Sequence, residues 1–173
     1  MTLEESSDFE RYLAAVLSGR ECRKTTSCLY TGRAVSLNFG DEVHSYRSTR
    51  DGQLRVTYQS GLLVQSAWRV ELGDTVICSS EDDPDKGGAM AKGLRHLVGC
   101  RVKTVECRAP AGDLTIHFAD GMTFRVFCDV SAAEDDEFNY LFKEYAADGA
   151  WTLHSNHMGR PVAQSKGVEP FVN

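Results

Sequence analysis

The amino-acid sequence predicts an α+β fold: a curved antiparallel β-sheet, or a two-layer β structure, of about seven to nine strands flanked by three helices. Two observations carry that reading. From Ser27 to Ser80, and again from Arg101 to Cys128, apolar residues alternate with polar ones, with turn residues about every ten positions, as in consecutive hairpins. Three other segments, near 8–18, 88–98 and 132–147, carry apolar residues at helical spacing instead. The chain has 173 residues, 42% hydrophobic and 25% charged, which suits a single domain spanning 1–173. Within it, 1–24 reads as an N-terminal helical segment and 25–128 as the sheet with an inserted short helix near 88–98. Residues 132–147 read as a C-terminal helix and 150–173 as a tail.

The first helix is predicted over 8–18. Ser7-Asp8-Phe9-Glu10 has the S-x-x-E form of a capping box, Phe9, Leu13, Val16 and Leu17 share one face, and Gly19 supplies a stop. In the sheet region Val35, Leu37 and Phe39 alternate until Gly40-Asp41 interrupts them, and Val43–Ser48 is a weaker strand. Asp51-Gly52 is a hairpin signal, because a tight turn of this kind needs positive φ at both central residues. Leu54, Val56 and Tyr58 alternate after it, and Ser60-Gly61 marks a further turn. Leu62, Val64, Trp68 and Val70 then share one parity, before Gly73-Asp74 turns into Thr75–Cys78.

Residues 81–88, EDDPDKGG, form a polar acidic loop, after which Met90, Leu94, Leu97 and Val98 fall at helical spacing and Gly99 closes the turn. In the strand Arg101–Arg108, Val102 and Val105 stand three apart, which calls for a β-bulge or a strand apolar on both faces. The hairpin Gly112–Cys128 is the clearest β signal: Leu114, Ile116 and Phe118 lead out, Asp120-Gly121 turns, and Phe124 and Val126 return. Beyond it Ser131-Ala132-Ala133-Glu134 has capping-box form, and Phe138, Leu141, Phe142 and Tyr145 predict the third helix, over 132–147. Trp151 and Leu153 predict one last short strand; from His154 onward periodicity fades.

One internal echo stands out. GQLRVTYQSGLLV, Gly52–Val64, and GDLTIHFADGMTF, Gly112–Phe124, align at a constant offset of 60, with glycines nine apart in each. The plain explanation is that hairpins with glycine turns resemble one another. The sharper one is a duplicated hairpin unit whose copies hold equivalent, central positions in the sheet.

Composition narrows the function classes. With a net charge of −6 and dispersed basic residues, the chain lacks the clustered Lys and Arg that phosphate neutralisation requires, so no nucleic-acid partner is expected. The acidic N-terminus does not read as a signal peptide, and no run of apolar residues is long enough for a membrane span. A cytoplasmic location is expected. The six cysteines contain no C-x-x-C pair and read as reduced, mostly buried thiols. No G-x-G-x-x-G, H-E-x-x-H or G-x-S-x-G motif occurs, and no cofactor is implied. Gly88–Gly93 has Walker-like glycine spacing, but Leu94 and Arg95 stand where a P-loop needs Lys and Ser or Thr.

Four sets of residues are candidates for a site. Glu81, Asp82, Asp83 and Asp85 crowd carboxylates into one loop, and a basic protein partner would relieve their repulsion and be steered by their field. Asp83-x-Asp85-x-Gly87 matches part of a calcium loop, but Leu94 occupies the position where an EF-hand places Glu. His154 and His157 are the nearest approach to a metal pair, with His117, Asp113 or Cys128 as conceivable further ligands; solvated histidines are the simpler account. His117 lies between Ile116 and Phe118, so alternation points it away from their shared face. Cys28 or Cys128 would be the nucleophile of a covalent mechanism, and no spacing selects one. The second acidic cluster, Glu134–Glu137, suits the start of the predicted third helix, where the dipole favours negative charge.

The segment Trp68–Phe127 resembles a domain of unknown function found in small bacterial proteins. The residues that carry the resemblance are Trp68, Ser79-Ser80-Glu81-Asp82, Leu97-Val98-Gly99, Asp113-Leu114-Thr115-Ile116-His117-Phe118-Ala119-Asp120-Gly121, and Phe124 to Phe127, about a third of the chain. These elements are structural, and the resemblance transfers no site residues. It implies kinship with candidate immunity proteins of bacterial toxin systems, which act by binding. The expected function is therefore a cytosolic binding protein, an immunity protein being one form of it, that meets a basic partner through the acidic loop. A small-molecule or metal-dependent enzymatic domain with a site near His117, His154 and His157 is the first alternative. A structural subunit of a homo-oligomer, joined through the C-terminal tail, is the second.

Overall fold

In the computed structural model, which describes residues 3–27, 33–129, 138–146, 150–157 and 160–168, the period-two stretches become two antiparallel sheets. The helix α1, Leu3–Leu17, leads into strands β1 (Cys22–Ser27), β2 (Val35–Arg47), β3 (Leu54–Val64), β4 (Ala67–Leu72) and β5 (Thr75–Ser79). The short helix α2, Ala89–Leu94, continues as one 3₁₀ turn, Arg95–Leu97. Strands β6 (Val102–Arg108), β7 (Asp113–Phe118), β8 (Met122–Phe127), β9 (Tyr140–Tyr145), β10 (Ala150–His157) and β11 (Arg160–Val168) complete the described chain. One sheet has the order β1-β2-β3-β9-β10-β11 and the other β5-β4-β8-β7-β6. The split alternative of the predicted β structure is the one realised. No helix among the described residues is long and apolar enough to cross a membrane.

The alternation found in the sequence is what fills the core. Val35, Leu37 and Phe39 of β2, Leu62 and Val64 of β3, and Leu114, Ile116 and Phe118 of β7 are all buried, as are Phe124 and Val126 of β8. They belong to one hydrophobic cluster that draws on both sheets and both helices. Trp68 sits inside it, its ring 5.7 Å from that of Phe124 and its indole N–H donating to the Arg33 carbonyl at 2.6 Å. Leu13 and Leu17 of α1 and Met90, Leu94 and Leu97 of the second helical segment reach the same cluster. The sheets also meet edge to edge, through a bridge between Glu21 and Arg101 flanked by a bond from the Cys22 N–H to the Cys100 carbonyl, 2.9 Å.

Several expectations are corrected. The third helix is absent where it can be judged: Tyr140–Tyr145 is strand β9, and the capping-box residues Ser131–Glu134 lie outside the described residues. Phe138, Leu141, Phe142 and Tyr145 fit a helix, but Tyr140 and Phe142 also fit a strand, and the backbone bonds offered by β3 and β10 on either side select it. The residues of the tail that can be described form the β10–β11 hairpin of the chain's own sheet. Helix α1 begins at Leu3, so Ser7 lies within it and is not its N-cap. β1 joins the sheet although only its Cys22 is buried.

Glycine geometry explains two more differences. Gly40 does not end a strand; with φ of +79° it lets β2 run through a bulge, where the register shifts between Phe39 and Glu42. Gly61 is not at a turn either, since β3 continues through it to Val64, and the chain passes to the other sheet at Gln65-Ser66, whose N–H groups both donate to the Asn139 carbonyl. Gly121, by contrast, has φ of +89° and makes the β7–β8 turn. The two echoed segments are thus one long strand and one hairpin in different sheets, which removes the duplication reading. The irregularity predicted for Arg101–Arg108 is present as a register shift between Val102 and Thr104, and it allows Val102, Val105 and Cys107 all to be buried.

Candidate binding surfaces

The acidic loop is built largely by its own carboxylates. Asp82 Oδ2 accepts the Ser79 N–H at 2.7 Å and Asp83 Oδ1 accepts the Asp85 N–H at 3.0 Å, both short-range capping bonds. Glu81 pairs with Arg33 at 3.0 Å. Gly88 is required beneath the loop, because a Cβ there would stand 2.5 Å from the Asp83 carbonyl oxygen. The loop is therefore preorganised, and Glu81, Asp83 and Asp85 remain exposed.

Among the described residues, His117 and His154 do not converge. His154 lies on β10 with its ring 4.4 Å from that of Tyr12 and 5.6 Å from that of Phe9, packed beneath α1. His157 ends β10, its side chain outside the described residues. His117 belongs to the other sheet, where its Nε2 lies 3.1 Å from Glu106 Oε1 and its Nδ1 3.3 Å from Thr123 Oγ1. Asp113 accepts the Cys128 N–H at 2.7 Å. Among the described residues no group of three or more His, Cys, Asp or Glu is arranged to hold a metal ion.

Around His117 the outer face of the five-stranded sheet carries a ladder of paired charges. Arg108 bonds Glu106 at 3.1 Å; Arg125 bonds Glu71 at 2.7 Å, and Arg69 also pairs with Glu71. Burial opposes ionisation of Glu71 and Glu106, yet the Arg125 and Arg69 bonds to the first, and the Arg108 and His117 bonds to the second, outweigh it. Both carboxyls are held below their ordinary range.

Among the described residues, the nucleophile candidate Cys128 is not activated. Cys22, Cys78, Cys100, Cys107 and Cys128 are not joined in disulfides, and Cys28 lies outside the described residues. Burial pushes Cys22 and Cys78 up to about 12, and burial followed by the neighbouring Asp113 raises Cys128 further. A thiol held in that state is not a thiolate near neutral pH.

The surface that sequence reasoning missed is the outer face of the six-stranded sheet. Leu63 of β3 pairs with Leu141 of β9, and Lys143 of β9 pairs with Leu153 of β10. Next to them Tyr145 pairs with Trp151, and the Lys143 ammonium lies 4.5 Å from the centroid of each ring. All of these side chains are half-buried. Leu63, Leu141, Lys143, Tyr145 and Leu153 line a hollow of about 310 Å³ that Ser36 and Asn38 enter from β2. Gly61 lies at its floor, between Asn38 on one neighbouring strand and Lys143 on the other. The fold does not need a glycine there: its φ is not positive, and an added Cβ would meet only Asn38 Oδ1, at 3.6 Å. What the missing side chain does is leave the hollow open. The sequence signal was the run Tyr140-Leu141-Phe142, apolar at consecutive positions, which in a strand means that both faces carry apolar groups.

No known protein family matches the chain, no curated protein is significantly similar to it, and no solved structure matches its fold.

Proposed function

We propose that this chain is a cytosolic binding protein that holds a protein partner on the outer face of the six-stranded sheet, the partner placing an apolar side chain in the hollow over Gly61. The observation that carries the reading is that an unstrained glycine with room for a side chain keeps open a hollow ringed by leucines and aromatics. Tyrosine and tryptophan beside a small apolar pocket are the residue types that dominate binding energy at protein interfaces. The described cysteines are not joined in disulfides, which supports a reducing compartment. The absence of a converged catalytic constellation among the described residues supports binding over catalysis.

A second reading keeps the acidic loop as the contact and a basic toxin as the partner, as the resemblance to immunity proteins suggests. It is favoured by the loop's rigidity and by the exposure of Glu81, Asp83 and Asp85, since a preorganised loop loses little conformational freedom on binding. One capture experiment from an extract of the native host separates the two. Gly61→Leu fills the hollow and is expected to abolish recovery of the partner with folding intact, while charge reversal of Glu81, Asp83 and Asp85 leaves recovery unchanged. The opposite pattern selects the acidic loop, and recovery of no partner by the wild-type chain sinks both.

A further inference from the structure

The acidic loop borders a groove whose lining charge is of the opposite sign. The groove, about 320 Å³, runs between β1 and the segment from Pro84 to Arg95. Its charged lining residues are Lys86 and Arg95; none of Glu81, Asp82, Asp83 or Asp85 lines it. The loop's own bonding commits three of them elsewhere, Asp82 to the Ser79 N–H, Asp83 to the Asp85 N–H and Glu81 to Arg33. Lys86 and Arg95 are both exposed, and neither forms an ion pair among the described residues. On the opposite wall β1 contributes Thr25, Thr26 and Ser27. Thr25 and Ser27 donate to the carbonyls of Leu94 and Pro84, each at 3.4 Å, so the two walls are latched and the groove between them keeps its width. Pro84, Ala91 and Leu94 give it an apolar side.

We propose that this groove binds a small organic anion, a phosphate or carboxylate head on a compact apolar body. Its head meets Lys86 and Arg95, and its body lies against Pro84 and Ala91. The volume suits a ligand of that size, and a few polar groups facing an apolar wall are the usual composition of a small-molecule site. Two cations with no competing carboxylate in the lining are suited to a charged head. The site is separate from the outer face over Gly61 and stands whether or not that face binds a protein.

The probe is phenyl phosphate, followed by amide-resolved NMR on the full chain, with benzoate, inorganic phosphate and phenol as comparisons. Saturable shifts confined to 25–27 and 84–95 are expected, with phenol and inorganic phosphate alone each at least about tenfold weaker than phenyl phosphate. The ratio of phenyl phosphate to benzoate affinity reports which head the groove prefers, and saturable binding of either supports the proposal. The exposed double variant Lys86→Ala, Arg95→Ala is expected to weaken binding by about tenfold or more while the rest of the spectrum stays unchanged. Shifts that do not saturate, that map to another surface, or that persist undiminished in the double variant would overturn it.

Discussion

The Tyr140 hydroxyl donates to the Gly112 carbonyl at 3.2 Å, tying β9 of the six-stranded sheet to the turn between β6 and β7 of the five-stranded one. Asn156 reinforces the tie, its Nδ2 reaching the Tyr140 oxygen at 3.4 Å and the Ala111 carbonyl at 3.2 Å. Tyr140 is fully buried, so its hydroxyl has no solvent to fall back on.

Tyr140→Phe is therefore expected to cost about 1–3 kcal/mol, the range for removing one partner of a buried hydrogen bond. The Cys107 and Cys128 thiols also donate to the Gly112 carbonyl, which places the expected loss toward the lower end. Urea denaturation should show a lower midpoint with an unchanged slope. An unmoved midpoint would show that this bond does not hold the sheets together.

Two glycine-to-alanine substitutions should part company. A Cβ on Gly93 would stand 2.3 Å from the Cys78 Cβ, where α2 packs on β5, so Gly93→Ala is expected to destabilise by about 1–3 kcal/mol through overpacking. Gly61→Ala meets only Asn38 Oδ1, at an ordinary contact distance of 3.6 Å, and should leave stability unchanged or raise it by about 0.5 kcal/mol through a less flexible unfolded chain. Thermal melts of both variants beside the wild type check this, and equal losses would refute the distinction.

Acid should weaken the outer charge ladder. Glu71 and Glu106 have carboxyl pKa values below the ordinary range in the folded state, so the unfolded chain binds protons more readily than the folded one. Their contribution is thus fully present above the ordinary carboxylate pKa and is lost as pH falls through the folded values. Stability measured from pH 7 down to pH 3 should decline across the acid range, and Glu71→Gln should flatten part of that decline. A Glu71→Gln profile parallel to the wild type would contradict the assignment.

Thiol reactivity should follow burial and one neighbouring carboxylate. Cys22 and Cys78 should resist alkylation in the folded protein and react freely in urea. Cys100 is only half-buried, and burial, followed by its hydrogen bond to Asp120 Oδ2 at 2.8 Å, pushes it up to about 12. Asp120→Asn removes the charge that opposes the thiolate, so Cys100 should then be modified several-fold faster at pH 8. Peptide mapping after timed iodoacetamide exposure resolves the site, and an unchanged Cys100 rate would show that access alone governs it.

Much of the architecture was legible because burial follows alternation. The hairpin at 112–128 and the inward parity of Leu62, Val64, Trp68 and Val70 could be read from residue type alone. So could the irregular strand at 102–108. The glycines were harder. Gly61 and Gly121 look alike in their local context, yet only Gly121 adopts a left-handed conformation, and neighbouring residues do not announce the difference. The acidic loop was visible, but the direction of its carboxylates was not, because Glu81, Asp82 and Asp83 are committed to an arginine or a backbone N–H that only the folded chain brings near.

By itself the sequence determined the β-rich class, the core-facing parity of most strands and the place of the inserted helix, since these rest on periodicities of a few residues. Tertiary structure decided that 140–145 is a strand and that 150–157 and 160–168 belong to the sheet, because open backbone donors and acceptors on neighbouring strands outweigh a short helical pattern. It also decided where binding surfaces lie. The hollow over Gly61 needs β2, β3, β9 and β10 side by side, and the cationic groove needs β1 held against a loop some sixty residues away.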